Sequence, residues 1–334
     1  MIPGNEKVVV IGSNSFSGSH FVTEALAAEF NVIGISRSNE ADTVFLPYRW
    51  KDKRIDNFSF FQLDLNHDLE DFMKIIFDYK PDYIVNFAAQ GMVAESWRNP
   101  DQWLMTNTVS AVKLHHQLKK YKFLKKFVQV STPEVYGTCE GNIKENTHYN
   151  PSTPYAVSKA AVDMSLMTFY HQYQFPVVFT RSANVYGPGQ QLYRIVPKAA
   201  FFFMTGKKLE LHGGGKSVRS FIHIQDVAQG TLKAMLHGKP GSIYHLSTIE
   251  TLSIRSLVEN IAKMIGVPFE GNVLDINERP GKDSAYKLDC SKALNDLGWK
   301  AEIELNQGIK NTIAWVRNNF DVLKKKSFEY EHKT

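Results

Sequence analysis

The sequence predicts an α/β protein: a doubly wound parallel sheet of Rossmann type, followed by a smaller mixed α/β C-terminal lobe. Three features lead there. In the first half, short strands that are apolar along most of their length alternate with helical stretches, the pattern of a parallel sheet covered on both faces. The chain opens on a strand, a tight glycine turn and a helix start between Val8 and Gly18. Beyond about residue 185 the alternation breaks, and glycine and proline cluster at Tyr186-Gly187-Pro188-Gly189 and Gly213-Gly214-Gly215.

The elements follow in order. Lys7–Ile11 is a mostly apolar strand ending at Gly12, and Phe16–Glu29 is the helix that leaves the turn. Asn31–Ser36, Phe58–Leu65, Tyr83–Ala88, Lys126–Ser131 and Val177–Arg181 are further apolar runs of strand length. Between them Leu69–Asp78, the long Asp101–Tyr121 and Pro154–Tyr173 read as helices. In the second half Leu209–Leu211, Ser220–Ile224 and Ser242–Leu246 are strand-like, and Ile195–Thr205, Ile254–Ile265 and Gln307–Asn319 are helical. No linker separates the halves, so two interwoven units are expected. Residues 1–185 form the dinucleotide-binding domain and 186–334 the substrate lobe, with the ligand cleft between them.

Composition narrows the classes. A chain of 334 residues, 43% apolar and 22% charged, can bury a large core. The net charge is +5 and the basic residues are scattered, so no nucleic-acid partner is expected. The densest run, Lys324-Lys325-Lys326, reads as part of a solvated tail. Cys139 and Cys290 make neither a disulfide framework nor a zinc-ligand spacing, and His115-His116 stands in a helix without a ligand pattern, so no metal is expected. There is no basic-then-apolar leader and no run of about 18 apolar residues. A cytoplasmic protein without a membrane partner is the expectation.

In the turn Gly12-Ser13-Asn14-Ser15-Phe16-Ser17-Gly18, Gly12 permits the bend and Gly18 lets the helix pack close to the strand. Backbone N–H groups at the helix start, near Ser15 and Phe16, then face a pyrophosphate. Ser15 holds the place of the middle glycine of such fingerprints and crowds the phosphate. The second strand ends in Ser36-Arg37-Ser38 where an acidic residue would receive ribose hydroxyls. A guanidinium and two hydroxyls suit a 2′-phosphate, which tilts the cofactor from NAD toward NADP.

Tyr155 and Lys159 lie four residues apart, on one face of a helix. An ammonium beside a phenol favours the phenolate, which can serve as a base. Alone, the pair is compatible with an ordinary helix face. Its company is Val130-Ser131-Thr132-Pro133-Glu134-Val135-Tyr136-Gly137 upstream and Arg181-Ser182-Ala183-Asn184-Val185-Tyr186-Gly187-Pro188 downstream. With these segments the chain resembles the extended short-chain dehydrogenases/reductases, and most closely their nucleotide-sugar 4,6-dehydratases acting on dTDP-glucose or GDP-mannose. The resemblance runs from about Lys7 to Trp315. It takes in Asn86-Phe87-Ala88-Ala89-Gln90, Asn107, Pro151–Tyr155, Ser217–Asp226, Arg279-Pro280-Gly281-Lys282-Asp283 and Leu297-Gly298-Trp299.

What the resemblance implies is a tightly bound NAD or NADP and a nucleotide-diphosphate sugar substrate. Tyr155 removes the 4-hydroxyl proton, Lys159 holds the cofactor ribose and tunes Tyr155, Thr132 binds the sugar 4-oxygen, and Glu134 takes the C5 proton before water leaves C6. Gly12, Ser15, Phe16, Gly18, Ser36, Arg37, Ser38, Asp64, Leu65, Ala88 and Ala89 would line the cofactor, with Asp64 at the adenine. Gln90, Asn184, Arg194, Arg219, Arg279 and Asp283 would bind the substrate, the arginines gripping the diphosphate. One position departs from the pattern. The dTDP-glucose enzymes carry an Asp between the Thr and the Glu as the acid for the leaving hydroxyl; the GDP-mannose enzymes have serine there. Here it is Pro133, which has no proton to give. Either Glu134 acts as base and then acid, or C6 elimination is not the reaction.

Three rivals share or border this reading. C4 epimerisation has no use for Glu134. Decarboxylation of UDP-glucuronate uses a similar Thr-Ser-Glu element and would need a cation, for which Arg194, His212 or Lys216 are available. A non-catalytic cofactor-binding regulator would have no reason to keep Thr132, Tyr155 and Lys159 together. Finally, Met105, Val109 and Val112 on one helix, and Met164, Met167 and Phe169 on another, offer apolar faces for a four-helix homodimer interface.

Overall fold

Val8, Val9 and Val10 have no exposed surface, and this β-branched run forms the central strand β1 (Lys7–Ile11), covered on both faces. The computed structural model describes residues 6–50, 55–138, 141–277 and 287–332. After β1 come α1 (Phe16–Ala27), β2 (Asn31–Ser36), β3 (Phe58–Gln62), α2 (Leu69–Tyr79) and β4 (Tyr83–Asn86). Next are α3 (Val93–Ser96), α4 (Pro100–Leu104), a π-helical turn (Met105–Ser110), α5 (Ala111–Leu118), β5 (Lys126–Ser131) and a two-residue β6 (Asn142–Ile143). Then follow α6 (Pro154–Tyr173), β7 (Val177–Ser182), β8 (Asn184–Tyr186), α7 (Ile195–Met204), β9 (Leu209–His212), β10 (Val218–Arg219), β11 (Phe221–His223), α8 (Ile224–His237) and β12 (Ile243–Leu246). The described chain closes with β13 (Leu252–Ser253), α9 (Ile254–Ile265), β14 (Val273–Ile276), β15 (Lys287–Leu288), α10 (Ser291–Leu297), α11 (Leu305–Asn318) and α12 (Phe320–Leu323).

Seven strands form one sheet in the order β12-β7-β5-β4-β1-β2-β3, all parallel. This is the doubly wound Rossmann-type α/β fold that the sequence predicts. Ile11, Leu114, Phe127 and Phe179 fill one face, while Phe21, Leu26, Phe30 and Met235 fill the other. A third core, around Phe201, Leu257, Ile261 and Ile313, joins α7, α9 and α11. The strand order reverses between β1 and β4, which opens a crevice at their carboxyl ends. The seventh strand, β12, comes from the second half and pairs with β7 from Ile243↔Phe179 to Leu246↔Ser182. Among the described residues no helix is long and apolar enough to cross a membrane.

Three expectations are corrected. Strands β3 and β4 end at Gln62 and Asn86, earlier than their apolar runs suggest, because the following residues turn away as loops of the crevice. The predicted single helix over 101–121 is α4, the π turn and α5 in succession. The Gly213–Gly215 turn is held by Arg255, whose Nε donates to the Gly214 carbonyl at 3.0 Å. Of the run read as a solvated tail, Lys324 and Lys325 are exposed, but the segment from Lys326 is held down: Lys326 Nζ reaches Asp42 Oδ2 at 2.7 Å, and the Phe328 ring lies 4.6 Å from that of Phe201.

Candidate active site

The phosphate turn is built by close approach. Gly12 has φ +80°, and a Cβ there would meet the Ala88 backbone N at 2.7 Å. A Cβ on Gly18 would stand 2.2 Å from the Gly12 carbonyl oxygen. Both positions therefore require glycine, for close packing of the turn on the loop after β4 and of α1 on the turn. Ser15 does something the sequence reading did not assign to it. It is the N-cap of α1, its Oγ accepting from Gly18 N at 3.0 Å. The side chain is turned to its own helix rather than toward a phosphate. Phe16 and Leu65 bury most of their side chains in the apolar cores.

The end of β2 is tied to the same turn. Ser36 Oγ accepts from Asn14 N at 3.0 Å, and Asn14 Nδ2 donates to the Ser38 carbonyl at 2.9 Å. Arg37 stands between them, its carbonyl held by Gln62 Nε2 at 3.1 Å. Asp64 closes its own loop, accepting from Asn66 N at 2.8 Å. At the end of β4, Asn86 Oδ1 accepts from Ala88 N at 3.1 Å while its Nδ2 donates to Gln129 Oε1 at 3.0 Å, so Ala88 is partly covered and Ala89 exposed on a braced loop.

The catalytic candidates converge from three elements. Thr132 follows β5 and caps the one-turn helix Pro133–Tyr136, its Oγ1 accepting from Glu134 N at 3.3 Å. Tyr155 and Lys159 lie on α6, which starts at Pro154 with Thr153 as its cap. The Tyr155 phenol lies close enough to the Thr132 side chain, and to the charges of Glu134 and Arg194, for each to act on it. Thr132, Glu134 and Tyr155 thus share one site.

The electrostatics differ from the sequence expectation. Burial, and after it the Glu134 charge, raise the Tyr155 pKa; the Thr132 hydrogen bond and the Arg194 charge oppose them. The Lys159 ammonium is buried and donates to the Val130 carbonyl at 2.8 Å, so it is engaged with β5 rather than lowering the phenol. Burial brings Lys159 down to about 8, against the opposing charge of Asp163.

The chain of polar contacts behind these residues was not assigned from sequence. Asn107, on the π turn, accepts from Gln90 N at 2.7 Å through Oδ1 and donates to Ser158 Oγ at 2.9 Å through Nδ2. Ser158 Oγ donates to the Tyr155 carbonyl at 2.7 Å. The π turn brings Asn107 into this path. Deeper in, Asp163 pairs with Arg181 at 2.9 Å, both side chains fully buried, and accepts from Ser131 Oγ at 2.6 Å. Asp163 follows Lys159 by four residues, the spacing that pairs Tyr155 with Lys159, and that was the available signal.

The substrate candidates stand on separate elements. Gln90 is buried by its bonds to Asn107. Asn184 is half-buried on β8. Arg194 is the exposed N-cap residue of α7. Arg219, on β10, bonds the Val218 carbonyl at 2.8 Å. Arg279 and Asp283 lie outside the described residues.

Comparison with known proteins gives this arrangement a family. The sequence profile described as GDP-mannose 4,6 dehydratase matches residues 9–312. The chain belongs to that family. The human dTDP-D-glucose 4,6-dehydratase is 30% identical over 96% of this chain and 93% of its own length. The dTDP-glucose 4,6-dehydratase of Xanthomonas campestris pv. campestris is 28% identical over 93% of each. The dTDP-glucose 4,6-dehydratase of Streptomyces venezuelae, crystallised with NAD bound, superposes with TM-score 0.86 at 28% identity, covering 95% of this chain and 98% of that one. The protein is a nicotinamide-dependent nucleotide-sugar 4,6-dehydratase, a hydro-lyase. In this dehydratase Pro133 and Glu134 occupy the turn that Thr132 caps, so no second carboxyl stands beside Glu134 within that turn.

Proposed function

We propose that the dehydratase converts a nucleoside-diphospho-glucose to its 4-keto-6-deoxy derivative, with Thr132, Glu134, Tyr155 and Lys159 as the catalytic set. The observation that carries this is the meeting of the Tyr155 phenol with the Thr132 side chain and the Glu134 charge. NAD or NADP supplies, when bound, the redox chemistry at C4 and C6 and, when oxidised, a positive charge beside the phenol. Tyr155 accepts the 4-hydroxyl proton, and Thr132 positions the 4-oxygen. The 4-ketone acidifies C5, and Glu134 takes the C5 proton. With proline next to it, the same carboxyl then returns that proton to the departing 6-hydroxyl, so the C6–O bond breaks to release water; reprotonated from solvent, Glu134 gives a proton to C5 as C6 is reduced. Arg194 and Arg219 would grip the diphosphate, with Arg279 completing the set and Gln90, Asn184 and Asp283 holding the remainder of the substrate. The cofactor would lie from Ala88 and Ala89 across the Gly12–Gly18 cradle to Ser36–Ser38, with Asp64 at the adenine. This division of labour fits a cofactor domain over 1–185 and a substrate lobe over 186–334.

The names of the relatives put dTDP-glucose first among candidate substrates and UDP-glucose, which appears in the names of three plant relatives, second. The test is mass spectrometry of products from dTDP-, GDP-, UDP- and CDP-hexoses and UDP-glucuronate without added cofactor. Loss of one water from a hexose is expected. Loss of carbon dioxide, or an unchanged mass with altered stereochemistry, would remove the dehydratase reading.

The working form we propose is a cytoplasmic homodimer. Trp97, Met105, Val109 and Met164 are exposed apolar side chains on or beside α3–α6, which a partner would cover. Val112 is half-covered, and Met167 and Phe169 pack partly on the sheet. Val109→Asp together with Met164→Asp should reduce the sedimentation mass from dimer to monomer. A monomeric parent across micromolar concentrations would end the proposal.

A further inference from the structure

From Lys326 to His332, burial alternates residue by residue. Lys326, Phe328, Tyr330 and His332 are partly covered; Ser327, Glu329 and Glu331 are exposed. Alternate side chains of the segment therefore face the protein surface. Each covered side chain has its own partner, drawn in turn from different parts of the fold. Lys326 pairs with Asp42 of the loop after β2, at 2.7 Å. Phe328 packs on Phe201 and Phe202 of α7, at 4.6 and 5.3 Å between ring centres. Tyr330 meets Tyr193 edge-on at 5.4 Å. His332 lies flat on Trp103 of α4, 5.1 Å between centres with 10° between planes, and bonds Gln102.

Tyr330 sits at the middle of this crossing. The charges that reach its phenol, besides Tyr193, are Arg37, Glu95 and Arg194. Arg37 follows β2, Glu95 lies in α3 after β4, and Arg194 caps α7 and also acts on Tyr155. Asp42 belongs to the loop after β2, Gln102 and Trp103 to α4 after β4, and Tyr193 precedes α7, so the segment runs past the loops at the carboxyl ends of β2 and β4. A dehydration that oxidises C4 and later reduces C6 is redox-neutral overall. The same dinucleotide must serve both halves, and its escape between them would strand a keto intermediate.

We propose that Lys326–His332 is a strap across the cofactor crevice, and that Tyr330 is a binding residue at its centre, closing the gap between the adenosine side at Arg37 and the diphosphate side at Arg194. This rests on the placement of dinucleotide and substrate given above. The strap slows release of the dinucleotide during the cycle, and His332 on Trp103 is its far anchor.

Two measurements on the full chain test it. The first is the dissociation rate of bound NAD or NADP, followed by dilution into a scavenging dehydrogenase, for the parent, Tyr330→Ala and His332→Ala. Both substitutions should speed release by about tenfold, because loosening the cover over a bound ligand acts mainly on the off-rate. The second is backbone hydrogen exchange over 326–332, which should slow when dinucleotide is added. Release at the parent's rate from folded Tyr330→Ala overturns the strap, even if that variant melts at lower temperature, since packing alone then explains the contacts. Unchanged exchange over 326–332 on adding dinucleotide overturns it too. A parent that dehydrates normally while the variants release normally sinks the strap alone; a parent that neither binds dinucleotide nor dehydrates any hexose sinks the functional reading and the strap with it.

Discussion

Glu134→Gln should abolish dehydration while leaving oxidation at C4 intact. The substitution preserves shape and leaves untouched the backbone N–H that donates to Thr132 Oγ1, so the turn that carries residue 134 keeps its cap. What it removes is the carboxylate that takes the C5 proton and, with Pro133 beside it, returns a proton to the leaving hydroxyl. Removing both acid and base function from one step should lower the rate of water loss by roughly three orders of magnitude. Reduced dinucleotide should accumulate in its absorbance band, and solvent deuterium should no longer enter C5. A second sign follows from electrostatics. The Glu134 charge raises the Tyr155 pKa, so its loss lowers that pKa, and C4 oxidation should persist to lower pH in the variant than in the parent. Product formation at the parent's rate would take Glu134 out of the mechanism; loss of oxidation as well would make its role structural.

Much of this was legible in the sequence because it is written in local chemistry. The apolar runs mark six strands of the sheet near their true bounds, and α6 and α9 agree end to end, at Pro154–Tyr173 and Ile254–Ile265. Gly12 and Gly18 announce themselves because only glycine fits where backbones approach so closely. What was not legible depends on contacts far apart in the chain. Nothing local to Ile243–Leu246 says that it joins the main sheet beside β7 rather than staying with its own half. The strap is polar and charged along most of Lys324–Glu331, which reads as solvated; its alternate residues find partners only because Asp42, Phe201 and Trp103 are brought to one surface by the fold. The π turn is hidden for a similar reason. A uniform helical pattern through Asp101–Tyr121 gives no hint that one extra residue would bring Asn107 to the Gln90 loop and Ser158.

The electrostatics of Lys159 show the same limit and lead to the second large effect. From sequence, the lysine is a neighbour of Tyr155; in the structure it is a buried ammonium whose proton is held against desolvation by Asp163, one helical turn further on. Lys159 titrates at about 8, so activity that needs its charge should fall as pH rises through that value. Asp163→Asn removes the opposing charge, which moves the Lys159 pKa and the basic limb of kcat to lower pH. It also leaves the Arg181 guanidinium buried without its ion-pair partner at 2.9 Å, a change that costs about 3–5 kcal/mol and should lower Tm. The two consequences can be separated. In the double variant Asp163→Asn with Arg181→Met, the unpaired guanidinium is gone from the core, so stability should return in part. Lys159 still lacks its anion, so the basic limb should stay displaced. A limb that returns with stability would mean that Asp163 acts only by holding the fold, whereas a limb that stays low while Tm recovers assigns the carboxylate to the protonation of Lys159.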